Sequence, residues 1–123
     1  KVMASAEAEA KKNNWNVVVS IVDSAGYVVM LHRLDNTQLG SIEIATGKAS
    51  TALKLRRPTK ALQDGIAAGG AGLRVLALYP GAVLIEGGVL IVEGGKIIGA
   101  VGVSGVTSEQ DGQIAKAGAD AIK

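Results

Sequence analysis

The stretch YVVMLHRL, Tyr27 to Leu34, holds the side chains with the most distinctive chemistry in this sequence. In a strand, successive side chains alternate between faces, so Val28, Met30, His32 and Leu34 share one face. An imidazole then stands beside a soft thioether on an apolar surface. That pairing suits a flat apolar cofactor or a transition metal. Lys48, Arg56 and Arg57 are the cations available for acidic groups on such a ligand. The alternative is a partly buried strand histidine with a hydrogen-bonded ring, next to a core methionine.

Two further constellations carry possible chemistry. Asp23, His32, Asp35 and Glu43 form a His-plus-carboxylate set that suits iron, manganese or zinc if the hairpin end meets the following helix. Their spacing matches no zinc or calcium signature, and Asp23 and Asp35 also fit turn and helix-initiating positions. Lys48, among the small residues Gly47, Ala49 and Ser50, is the enzymatic candidate. A lysine partly buried there would have a lowered pKa, whereas a surface lysine would simply snorkel. Ser104, Gly105, Gln110 and Asp111 at a strand–helix junction offer an anion-binding backbone.

Ser104 also raises the question of a nucleophile. A serine elbow needs G-x-S-x-G, but Gly102-Val103-Ser104-Gly105 is followed by Val106. Capping explains the segment better. Thr107 and Gln110 stand in capping-box spacing, with Ser108 and Asp111 as a second register. Ile114, Ala117, Gly118, Ala121 and Ile122 then recur at helical spacing.

These residues must be positioned by the elements around them. Val2 to Lys12 is rich in alanine and lysine and predicts a helix. Asn16 to Asp23 and Tyr27 to Leu34 predict a hairpin around Ser24-Ala25-Gly26, since so short a connection excludes a parallel crossover. Leu39, Ile42, Ala45, Ala49, Ala52 and Leu53 mark a long helix ending near Arg57, because Pro58 disfavours helical geometry before it. Thr59 is placed to cap a second helix carrying Leu62 and Ile66, with a glycine-rich loop after it. Val83 to Ile85 reads as a short strand. Gly88 to Glu93 and Lys96 to Ser104 form a second hairpin around Gly94-Gly95. Hairpins with helices gathered on them make an α+β domain, single over residues 1–123.

Composition narrows the function classes. With no Phe, one Trp and two Tyr in 123 residues, the core must be aliphatic. The net charge of +2 lacks the concentrated basic face with aromatic platforms that nucleic acid requires. The absence of cysteine excludes disulfides, thiolate nucleophiles and iron–sulfur clusters. No apolar run reaches the length of a membrane span. A cytoplasmic location is the expectation, and a sequence starting at Lys1 leaves a secreted form open.

Six motifs in one order resemble a known family: D-S-A-G (Asp23 to Gly26), H-R-L-D-N (His32 to Asn36), G-K-A-S-T-A (Gly47 to Ala52), R-P-T (Arg57 to Thr59), E-G-G-V-L-I (Glu86 to Ile91) and G-A-V-G-V-S-G followed by E-Q-D (Gly99 to Asp111). The chain resembles the GlcG/HbpS-like family, which includes the C-terminal domain of PduO-type proteins. The resemblance implies a profilin-like arrangement of an antiparallel β-sheet with helices packed on it, and assembly into a dimer, tetramer or octamer. It also implies binding of haem or a related small ligand. The adenosyltransferase activity of PduO-type proteins belongs to a separate domain and is not implied. Many members carry Arg-Met-Asp-Gly where this chain has Arg33-Leu34-Asp35-Asn36, and a proline at the position of Leu90.

Haem iron takes His, Met, Tyr or Cys as axial ligand, which leaves His32, Met3, Met30, Tyr27 and Tyr79. The resulting expectation is an oligomeric small-ligand protein. Haem would sit between the central helix and the sheet, with Met30 and His32 near the iron and Lys48, Arg56 or Arg57 on the propionates. The rival readings are an accessory protein or enzyme for a small metabolite, as in glycolate-type operons, and a metal-binding protein using His32.

Overall fold

The computed structural model describes residues 1–123. A four-stranded antiparallel sheet, ordered β2-β1-β4-β3, forms the centre. Its strands are β1 (Val18–Asp23), β2 (Val28–Arg33), β3 (Gly88–Glu93) and β4 (Lys96–Ser104). The helices are α1 (Val2–Lys12), α2 (Gly40–Leu55), α3 (Thr59–Ala68) and α4 (Ser108–Ala119), and Gly70–Ala77 is a 3-10 segment. Both expected hairpins are present, and the fold is α+β. No helix is long and apolar enough to cross a membrane.

The two faces of the sheet are packed differently. On one face, Val19, Val101, Val103 and Ile91 meet Ile114 of α4 and Val2, Met3, Ala6 and Ala10 of α1. On the other lies α2, whose buried residues apart from Lys48 are small: Ser41, Ala45, Ala49, Thr51 and Ala52. Small residues are needed there because the helix lies almost on the sheet backbone. A Cβ at Gly102 would come within 2.0 Å of the Ala45 carbonyl oxygen and 2.6 Å of the Ala49 nitrogen. The G-K-A-S-T-A motif is thus the contact surface of α2.

Three local expectations change. Val83 to Ile85 is not a strand. It runs as irregular chain, with the Val83 N–H donating to Thr51 Oγ1 at 2.9 Å. α2 ends close to Arg57 as expected: its last residue is Leu55, and Arg56 closes it in the left-handed conformation at φ 54°. Pro58 is the N-cap of α3. Thr59 instead spends its hydroxyl on β3, accepting the Gly88 N–H at 2.8 Å. Leu39, expected on the apolar stripe of α2, is 70% exposed just before the helix begins. The capping box of α4 is present in full, with Thr107 and Gln110 each accepting the other's backbone N–H.

Candidate functional site

Strand β2 is an edge strand, and it is the least covered element of the sheet. Its register places His32 opposite Val19 and Met30 opposite Ile21. Both partners face the α1–α4 side, so His32 and Met30 do too. The expectation of a shared face therefore holds for Met30 and His32 but not for Val28, which a register shift sets opposite Val22 of the α2-side cluster. α1 brings Glu7 to His32, and the Glu7 carboxylate is hydrogen-bonded to the ring at Nδ1. Lys11, one turn along α1, sits 3.6 Å from the same carboxylate.

This carboxylate–imidazole pair was not anticipated from the sequence. Glu7 and His32 are 25 residues apart, and only the packing of α1 on the sheet joins them. A carboxylate accepting from Nδ1–H fixes the tautomer, which leaves Nε2 as the lone-pair nitrogen. The side chain of His32 is half exposed, so Nε2 is open to a ligand. On the same face of the sheet, with Met30 but not His32 in its lining, a mostly apolar cavity of about 320 Å³ is lined by Val2, Met3, Ile21, Ile91 and Ile98, together with Lys1 and Asp23. The two methionines of the chain meet at this cavity.

The expected cations lie elsewhere. Lys48, Arg56 and Arg57 belong to α2 and its C-terminal end, on the opposite side of the sheet from His32 and Met30. The sheet therefore separates the two halves of the ligand set within one chain, and the expected pocket between the central helix and the sheet cannot contain His32 and Met30, which face α1 instead. Lys48 is also neither a snorkelling surface lysine nor an accessible nucleophile. Its side chain is 3% exposed, and its ammonium donates to Asp111 Oδ2 at 3.0 Å and to the Val103 carbonyl at 3.0 Å. Gly87 covers it at φ 135°, and a Cβ there would lie 2.8 Å from Lys48 Nζ. Burial pushes the Asp111 carboxyl above its ordinary value, against the opposing pull of Lys48 and of the Val106 N–H. Lys48 and Asp111, from G-K-A-S-T-A and E-Q-D, form one buried ion pair that ties α2 to α4.

The other candidates are also placed. Asp23 accepts the N–H groups of Ala25 and Tyr27 at 2.9 and 3.0 Å, closing the β1–β2 turn. Asp35 and Glu43 are exposed, and no three His, Asp or Glu side chains converge on a point that could hold a metal ion. The four-residue metal set thus does not form, because β1, β2 and the start of α2 direct its members apart. Ser104 is buried and donates to Ser41 Oγ at 3.1 Å on the α2 face, across the sheet from His32. It has no base and no solvent access, so it is not a nucleophile. Asn36 adopts φ 65°, a conformation asparagine tolerates better than most residues.

An α+β domain with a carboxylate-oriented histidine on an open edge strand is the class of protein these elements define. The chain belongs to the HbpS-like family, described as "Haem degrading protein HbpS-like", whose model matches residues 1–120. It is 40% identical over 103 residues to Protein GlcG of Escherichia coli strain K12, covering 84% of this chain and 75% of that protein. Among solved structures it is similar to the PduOC:Heme complex, with a TM-score of 0.87 and 33% identity over 99% of this chain and 89% of that one. The crystal structure of HbpS aligns with a TM-score of 0.88 and 31% identity, covering 100% of this chain and 85% of that one.

Proposed function

We propose that this chain binds haem, or a closely related tetrapyrrole, on the α1 side of β2, with His32 Nε2 as the axial ligand. The observation that carries this reading is the Glu7–His32 pair. Ligating histidines characteristically donate their second ring N–H to a carboxylate, and here that partner is in place. The residues present fit the group. Met30 and the apolar cavity offer a surface for a macrocycle, and Lys11 offers a cation for a propionate. Lys48 is withdrawn into its pair with Asp111, and Arg56 and Arg57 lie across the sheet. The likeness to the PduOC:Heme complex supports the same ligand class. When bound, haem would supply iron-centred ligand or redox chemistry; the protein's part is to hold the imidazole in one tautomer and orientation.

A haem lying on one face of an edge strand has a single protein wall. We propose that a second copy supplies the other, in a dimer, tetramer or octamer. Tyr27, Val28, Val29 and Met30 leave that edge apolar and open, which supports self-association.

Haemin titration tests the ligand. A Soret band that sharpens and saturates at one haemin per chain is expected, and His32→Ala should shift its maximum and weaken binding. A featureless titration would overturn the haem reading, and an unchanged spectrum in His32→Ala would overturn the axial assignment. Light scattering at micromolar protein should return a multiple of the chain mass; a monomer mass would overturn self-association.

A further inference from the structure

A second cavity lies between α3 and the 3-10 segment, on the α2 side of the molecule and remote from His32. It measures about 240 Å³. Leu62 and Val75 are its buried floor, and Leu55 and Leu78 stand at its sides. One end is closed by backbone contact. A Cβ at Gly72 would lie 2.0 Å from the Gly65 carbonyl oxygen, so the 3-10 segment rests directly on α3 there.

Two arginines, Arg57 and Arg74, are among the residues lining this cavity, and no Asp or Glu is. Neither arginine makes an ion pair anywhere in the molecule. Arg57 is held only by its Nε donating to the Leu55 carbonyl at 3.2 Å, which leaves the rest of its fork free. Asp64, the nearest acid along α3, is already paired with Lys60 at 2.8 Å. Two uncompensated cations against a low-dielectric wall create a local positive potential. A guanidinium fork matches the two oxygens of a carboxylate.

We propose that this cavity binds a small monocarboxylate with an apolar body. Arg57 and Arg74 hold the carboxylate, and Leu62, Val75 and Leu78 cover the hydrocarbon. The volume falls below the usual ligand-pocket range of about 300–1,000 Å³, which selects a small acid over a macrocycle. The site shares no residue with the haem surface and does not depend on it.

Calorimetric titration with two probes, phenylacetate and 4-methylpentanoate, tests the proposal. At least one should bind saturably at one site per chain. The matching neutral amide should bind at least about tenfold more weakly, since it forfeits the charge-assisted hydrogen bonds. Arg57→Gln and Arg74→Gln should each weaken binding about tenfold. Leu78→Asp should do the same by placing a like charge at the mouth. All three side chains are exposed, so melting curves should match wild type. His32→Ala should leave the affinity unchanged, which separates this site from the haem surface. Saturable binding by neither acid, equal affinity for acid and amide, or undiminished binding in the arginine variants would each overturn the proposal.

Discussion

Lys48 Nζ and Asp111 Oδ2 lie 3.0 Å apart, with both side chains almost wholly enclosed, and 63 residues of chain separate them. The pair fastens α2 to the start of α4 across the end of β4, where Lys48 also donates to Val103. Two charges taken out of water together are tolerable, but one left alone is not.

Lys48→Met should therefore cost about 3–5 kcal/mol at neutral pH, measured by denaturant unfolding, because Asp111 is left buried without its cation. The cost should shrink in acid. Asp111 already has its folded pKa raised above the unfolded value of about 3.9. For a group shifted in that direction, the stabilisation from protonation is complete below the unfolded value and is lost as pH rises through the folded one. Removing Lys48 takes away a contribution that lowers the pKa, so the window widens upward. A Lys48→Met deficit that stayed constant from pH 7 to pH 4 would contradict this.

Glu7→Gln should weaken haemin binding about tenfold, the low end of what loss of a ligand's supporting partner costs. Glu7 is on α1 and makes its contacts to Lys11 and His32 near the surface, so the melting temperature should stay close to wild type. Haemin affinity and melting curves on the same variant separate the two effects.

Gly102→Ala should be among the most damaging single changes in the chain. The added methyl would meet backbone atoms of Ala45 and Ala49, not a side chain that could swing away. α2 would have to lift off β4, so a loss of about 3 kcal/mol or more is expected in thermal or denaturant unfolding.

Thr107→Ala should cost about 1 kcal/mol, the ordinary loss for a removed N-cap. It breaks one arm of the box with Gln110 but touches neither proposed ligand site. Haemin and carboxylate binding should both survive at temperatures where the variant is folded.

The sequence by itself determined the four sheet strands, the four α-helices and their order, though not the irregular course of Val83 to Ile85 or the 3-10 segment. β-branched runs, the Ser24-Ala25-Gly26 and Gly94-Gly95 turns, Pro58 and the Thr107–Gln110 spacing act over a few residues, so their consequences could be read locally. The alternation that puts Met30 and His32 on one face is equally local, and it held. Tertiary structure decided what each side chain meets. Glu7 reaches His32 only because α1 docks on the face that β2 shares with β1. Lys48 enters the interior only because small residues let α2 settle onto β4 beside Asp111. The cations expected around His32 ended up across the sheet, because spacing along the chain does not say which face a helix will cover. Arg74 carries no local signal at all. It became a candidate only when the Gly65–Gly72 contact brought the 3-10 segment against α3 and made Arg74 line the same cavity as Arg57.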